Sequence, residues 1–323
     1  MAMNKSLEKF LRKKKRTGKD VLNYRGNFEE KSKALRDYCT VSELAQKDEL
    51  TEGVAPVIQP WEYLHPELAV SARYYQLCVR EGLIKQNKIA ANSLMSSFTY
   101  NFILKAQEYF SLQSYPIRFG RERERAYTSR EVFCLVQGAL LGLASHTDNL
   151  FQMFSEGYQK GWHNRLHGRH MDLIILLYDR YKGGALAPLD CPFEYDEIIE
   201  NWATTDLNKV TEYLTTLCDD QVVQAAAPPS KGYFDFDNGE WDFIPASALL
   251  LLKLRELSGL DNPEFTHPGF GHLNPLLAIE PQPFTLDPLL EKAVEKMKEQ
   301  GFNEDEIFNR MIEGSSKRNS KSL

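Results

Sequence analysis

Apolar positions recur at three- and four-residue steps along most of this chain, the period of a helix with one buried face, while strict two-residue alternation is nearly absent. Residues 4 to 16 set Leu7, Phe10 and Leu11 on one face among lysines and arginines, and Phe28 to Gln46 turns Leu35, Tyr38, Val41 and Leu44 inward. The stretch from Asp48 to Pro66 carries three prolines in its second half and predicts an irregular connector. Helical spacing resumes over Ser71 to Arg80 and Lys88 to Phe110, where Phe98, Tyr100, Phe102, Tyr109 and Phe110 mark a broad packing face. Pro116 and Gly120 interrupt it. Thr128 followed by Glu131 is a capping box, so a helix begins near Ser129 and runs on to Phe154, with Gly138 and Gly142 admitting a close neighbour. Paired Gly183 and Gly184 end the helix containing LIILLYDRY. Tyr195 to Trp202, Leu207 to Val222 with a Thr205-Asp206 cap, Leu286 to Glu299 and Glu304 to Glu313 complete the helical set. The expected fold is all-α, a compact multi-helix array. Its segments are an N-terminal region at 1–115, a C-terminal helical domain at 126–280, and terminal helices with a disordered tail at 281–323.

Composition narrows the picture little, because 26% charged and 42% apolar residues are ordinary for a globular chain of 323 residues. Five scattered cysteines without C-x-x-C spacing read as reduced thiols, with neither a disulfide frame nor a zinc site. The basic N-terminus lacks the apolar region of a secretory signal and no run reaches membrane-spanning length, so a soluble cytoplasmic protein is expected. Charge distribution changes the picture more than the net of −6 does. Residues 1 to 36 hold twelve Lys/Arg against four Asp/Glu, a net of +8, whereas residues 190 to 270 hold sixteen acidic residues against four basic ones, a net of −12. Such a field repels nucleic acid over the second half and attracts a basic partner. The basic pole is free to pair with the acidic one in the same chain or in a second copy, so a homodimer is compatible with the pattern. For the first helix, a solvated amphipathic face outweighs a nucleic-acid or membrane arm, since it has three apolar anchors.

The acidic pole centres on Gly232 to Leu260, GYFDFDNGEWDFIPASALLLLKLRELSGL. Asp235, Asp237, Glu240 and Asp242 lie within eight residues, interleaved with Tyr233, Phe234, Phe236, Trp241 and Phe243, and no Lys or Arg falls between Lys231 and Lys253. Rings seek burial and carboxylates resist it, so the expectation is a loop whose aromatics pack on the helical body while its charges face outward. The nearly all-round apolar helix that follows must sit in a core and anchors the loop.

The same residues carry a resemblance. The glycine and aromatic-acidic lead-in, the Trp241-Asp242-Phe243 step, the Ala/Leu helix, Gly259-Leu260-Asp261 and the His267-Pro268 segment resemble the C-terminal region of PoNi-type immunity proteins. These are helical antitoxins that neutralise nuclease effectors of bacterial contact-dependent systems, type VI secretion among them. The likeness extends over Leu173 to Tyr181 and Glu194 to Val222, roughly the second half of the chain. Where such proteins often show a Tyr-Trp step before Phe, this chain has Glu240-Trp241-Asp242. The resemblance implies a non-enzymatic polymorphic-toxin antitoxin that inhibits a cognate nuclease stoichiometrically. It implies no cofactor, no direct nucleic-acid contact and no membrane. With the charge pattern, it makes Asp219, Asp220, Tyr233, Asp235, Phe236, Asp237, Glu240, Trp241 and Asp242 the candidate partner-binding residues.

Catalytic grammar is sparse. No phosphate-binding loop, dinucleotide fingerprint or nucleophile elbow occurs. One constellation has metal-ligand character: His163, His167 and His170 at helical spacing with Asp172 nearby, the basis of an alternative reading as a helical metal-dependent hydrolase. Arg165, Arg169 and the helix-loosening Gly168 weigh against it. Arg118, Arg121, Arg123, Arg125 and Arg130 alternate with Glu122, Glu124 and Glu131, which favours internal salt bridging over an anion site. A helical scaffold without a dedicated partner is the third reading.

Overall fold

Long apolar faces interrupted by glycine and proline produce helices of unequal length, which the computed structural model describes over residues 2–17, 20–40, 60–119, 127–163, 169–189, 191–231, 234–236, 239–304 and 306–308. The first half contains α1 (Ala2–Arg16), α2 (Asp20–Thr40), a 3-10 turn (Pro60–Leu64), α3 (His65–Gln86) and α4 (Ala91–Phe119). The middle contains α5 (Ser129–Val132), α6 (Cys134–Leu140), α7 (Ala144–Gln159) and α8 (Arg169–Tyr181). The second half contributes α9 (Asp196–Glu200), α10 (Leu207–Ala226), α11 (Ala246–Leu257), α12 (Asn274–Leu277) and α13 (Pro288–Glu299). Strand is confined, among the described residues, to a two-residue antiparallel pair, β1 (Thr266–His267) and β2 (Gly271–His272), and a parallel bridge between Tyr127 and His163. The all-α expectation holds.

Local chemistry explains several of the element ends. Asp206 caps α10, its carboxylate accepting from the N–H groups of Asn208 and Lys209 at 2.9 and 3.4 Å. The Thr128–Glu131 capping box opens α5 as expected. The single helix expected from Ser129 to Phe154 is instead three. Gly142 takes φ +72°, a conformation that closes α6, and the chain restarts at Ala144. Gly138 plays a different part, since a Cβ there would strike Thr147 and Phe98, which is the close approach its sequence position suggested. α3 starts at His65 rather than Ser71 because Pro66 sits at its first turn, where the missing N–H is tolerated.

α11 is buried from Ala246 to Arg255 and packs on α6, α8, α10 and α12. α3 and α4 pair across the turn at Asn87, α2 lies on α3, and α13 lies on α2. α1 crosses the sequence to pack on α10, so the basic and acidic poles meet within one chain. Phe10 is fully buried, in edge contact with Phe243 at 5.1 Å and Phe270 at 5.2 Å. The helix expected as a solvated face is therefore docked by its apolar side. No described helix is long and apolar enough to cross a membrane.

Candidate functional site

Expected contacts divide into two groups. Tyr233 and Asp237 lie outside the described residues, as do His167, Arg121, Arg123 and Arg125. Of the rest, the loop residues go inward and the α10 residues stay near solvent.

In the loop the rings behave as expected and the charges do not. Phe236 stacks on Phe133 at 5.3 Å and meets the His170 ring edge-on at 4.8 Å, while Trp241 contacts Phe133 at 5.2 Å. Yet Asp235, Glu240 and Asp242 are all at or below 2% exposure. The outward-facing acidic loop is thus corrected: the chain supplies cations from distant elements that the local sequence lacks. Glu240 is held by Arg73 of α3 and by Arg130 of α5 at 3.3 Å. Asp242 meets Lys13 of α1 at 2.8 Å and Arg80 of α3 at 3.8 Å. Arg80, itself buried, also donates to the Gly239 carbonyl and to Asp20 at 2.8 Å. Arg73 and Arg80 are seven residues apart, two turns, hence on one face of α3. Arg130 fits the internal pairing expected of its cluster. Burial raises the Glu240 carboxyl above its ordinary range, with Arg130 and Arg73 acting against the rise.

Asp235 has another task. Its carboxylate accepts the backbone N–H of His170 at 2.9 Å and so supplies negative charge to the N-terminal turn of α8. Burial nevertheless pushes its pKa up to about 7, with the His170 charge and N–H opposing. The His170 ring continues the network, with Nδ1 2.8 Å from the Ser247 hydroxyl and Nε2 3.2 Å from both Asp220 and the Tyr195 hydroxyl. Tyr195 donates to Asp220, and Gln224 donates to it at 3.4 Å. Burial disfavours the Asp220 charge, but the His170, Tyr195 and Gln224 bonds win and lower its pKa. Glu194 is raised, by burial first and by the Asp220 charge second.

Two glutamines that the sequence reading missed staple the loop to α10. The Gln221 amide donates to the carbonyls of Trp241, Asp242 and Ile244 at 3.1, 3.3 and 2.7 Å, and Gln224 accepts the Asp235 N–H at 3.2 Å. Their three-residue spacing, on the helix preceding the loop, was the available signal. The histidine face is also corrected. His163 sits in the bridge to Tyr127, its Nε2 3.0 Å from the Phe154 carbonyl, and not on α8 with His170. Among the described residues no group of three His, Cys, Asp or Glu could hold a metal ion.

The exposed acidic surface lies elsewhere, on α9 and α10. Between residues 194 and 220 stand eight carboxylates and one cation, Lys209. Glu197, Glu200 and Glu212 project with 62%, 63% and 68% of their side chains exposed, Lys209 bridging Glu197 and Glu212 while Arg180 reaches Glu200 at 3.0 Å. On α10, Glu212, Thr216, Asp219 and Val223 follow at four-, three- and four-residue steps and form one stripe. Asp219 and Asp220 retain over a third of their side-chain surface, and Leu207 and Val223 add exposed apolar area. Arg255, fully buried, donates to the carbonyls of Trp202, Thr204 and Asp261 at 2.7, 2.8 and 2.6 Å. It ties the turn between α9 and α10 to the end of α11, which gives the face a firm footing.

Against known proteins, no family profile, no curated protein and no solved structure matches the chain.

Proposed function

We propose that the protein is an immunity protein that binds a cationic macromolecule, a secreted effector nuclease, and blocks it stoichiometrically through the α9–α10 face. One observation carries this reading: eight carboxylates against one lysine between residues 194 and 220, with Glu197, Glu200 and Glu212 keeping most of their side chains in solvent. A nuclease needs a positively charged groove for its substrate, and a fixed acidic surface is a counterpart to that groove. Asp219 and Asp220 stand at the edge of this surface, about a third exposed, their carboxylates already bonded to His267 and to His170, Tyr195 and Gln224 respectively. Asp235, Phe236, Glu240, Trp241 and Asp242 become its internal supports, since their side chains lie below the surface and out of a partner's reach. The resemblance of the second half to PoNi-type immunity proteins supports the partner class.

The test expresses the adjacent reading frame and assays its product as the candidate effector nuclease. Replacing Glu197, Glu200 and Glu212 together by lysine should weaken the complex at least 100-fold, about 3 kcal/mol, mainly through slower association. Calorimetry showing unchanged affinity for that triple variant would move the interface off this face, and a nuclease fully active with excess chain bound would end the inhibitory reading.

A further inference from the structure

The basic pole leaves a remainder once its anchoring is accounted for. Lys13 spans Asp242 and the Ala225 carbonyl at 2.8 and 3.1 Å, and Lys14 donates to the Gly269 carbonyl at 3.0 Å. Those two lysines, with Phe10, fix α1 to the body. Lys5, Lys9, Arg12 and Arg16 take no part in the anchoring and are exposed. Their steps of four, three and four residues place them in one stripe, roughly 16 Å long at 1.5 Å per residue. Arg12 touches Glu8, also exposed, at 3.4 Å, whereas Lys5, Lys9 and Arg16 meet no carboxylate among the described residues.

Along this stripe runs an open groove of ≈ 440 Å³ bounded by Lys9, Arg12, Lys13, Arg16, Thr17 and Asp20. Its volume falls within the ordinary range for small-molecule sites, about 300–1,000 Å³. The helix dipole rationalises cations in the last turn of α1 but disfavours them near its start, where Lys5 stands. Like charges four residues apart, as in Lys5–Lys9, Lys9–Lys13 and Arg12–Arg16, destabilise a helix by roughly 0.2–0.5 kcal/mol each. An anion lying along the stripe would relieve that repulsion at Lys5–Lys9 and Arg12–Arg16, the two pairs within it. Insertion into a lipid surface is ruled out by geometry, because Phe10 is buried and Leu7 and Leu11 pack against the core. A long duplex would run past a chain of net charge −6. A short anion with several charges in line satisfies the length, the volume and the repulsion together.

We infer that this groove binds a short linear polyphosphate, free or as the tail of a nucleotide, with Lys9, Arg12 and Arg16 as the phosphate-contacting residues. The inference is independent of the α9–α10 reading, because it concerns the isolated full chain and the opposite charge.

Calorimetry in low salt with tripolyphosphate, ATP and AMP tests it. At least one triphosphate should bind with a Kd near or below about 100 μM, AMP at least tenfold more weakly, and affinity should fall steeply as salt rises. The double variant Lys9→Gln/Arg16→Gln should lose tenfold or more, as should Lys5→Gln/Arg12→Gln, while Lys182→Gln, remote on the loop after α8, binds as the parent does. ATP binding tenfold tighter than tripolyphosphate assigns a nucleotide ligand, and equal or weaker binding assigns the free chain. Affinities weaker than about 1 mM for both triphosphates, AMP matching them, or undiminished binding by both double variants would overturn the assignment.

Discussion

The loop at 234–242 and the α9–α10 face have the same kind of sequence, carboxylates among aromatics with few cations, and opposite fates. In the loop, Asp235, Glu240 and Asp242 fall below the surface and are met by Lys13, Arg73, Arg80, Arg130 and the N-terminal turn of α8. On the face, Glu197, Glu200 and Glu212 keep most of their side chains in water, sharing Lys209 and Arg180. The rings decide the difference. Phe236, Trp241 and Phe243 are spaced so closely among the loop's carboxylates that burying them takes the charges down too, and burial is tolerated where cations from other helices converge. In α10 most apolar residues keep to one side of a regular helix, so Glu212 opposite them stays out. Acidic density in a sequence is thus a poor guide to a binding surface until its aromatic neighbours are placed.

The largest expected effect breaks the buried side of this comparison. Arg80→Met leaves Asp242 at 1% side-chain exposure with Lys13 as its remaining cation and strips the Gly239 carbonyl of its donor. Removing one partner from such a group typically destabilises by about 3–5 kcal/mol, and urea midpoints should show a loss of that order. A loss below about 1 kcal/mol would mean that the loop is solvated after all and that its carboxylates remain available to a partner.

Next in size is a pH effect at Asp235. Unfolded, this carboxyl releases its proton near 3.8, whereas folded it holds on until about 7. Between those values the folded state binds more protons, so its contribution to stability is fully present below 3.8 and disappears as pH rises through about 7. Asp220, shifted the other way, contributes above its unfolded value and loses that contribution as pH falls through its lowered one. Asp235→Asn keeps an acceptor for the His170 N–H and cannot ionise. Its unfolding free energy from urea titrations should fall less than the parent's between pH 5 and 8, and at pH 8 it should exceed the parent's by up to about 4 kcal/mol. Parallel profiles for the two proteins would show that the parent's Asp235 charge is already compensated.

Much of the fold was legible because local signals decided it. The Leu249–Leu254 run, the Asp206 cap, the Thr128–Glu131 box and the Gly183 stop each act within a few residues. The break at Gly142 was less so, since a glycine in a helical pattern serves equally as a contact surface or a terminator, and Gly138 and Gly142 split those roles. The site was legible in part. That Phe236 and Trp241 would pack was written in their apolarity. That Asp242 would meet Lys13 depended on α1 folding back over α10, a contact between segments more than 200 residues apart that no periodicity encodes.

The smallest effect sharpens the exposed side. Glu200 and Glu212 hold few interactions that water cannot replace, so Glu200→Gln and Glu212→Gln should each alter stability by no more than about 0.5 kcal/mol. The sign carries the information. Eight carboxylates near one lysine repel one another, and removing a charge relieves that repulsion in the folded state more than in the expanded unfolded one. Glu212→Gln gives up its share of Lys209, which Glu197 retains at 2.6 Å, so repulsion should prevail and the variant should be marginally more stable in low salt. Added salt should erase the gain by screening it, since these side chains stand in solvent. A face that is stabilised by losing its charges owes them to something other than folding, whereas a clear destabilisation would make Glu212 a structural residue and weaken the case that this surface is kept for a partner.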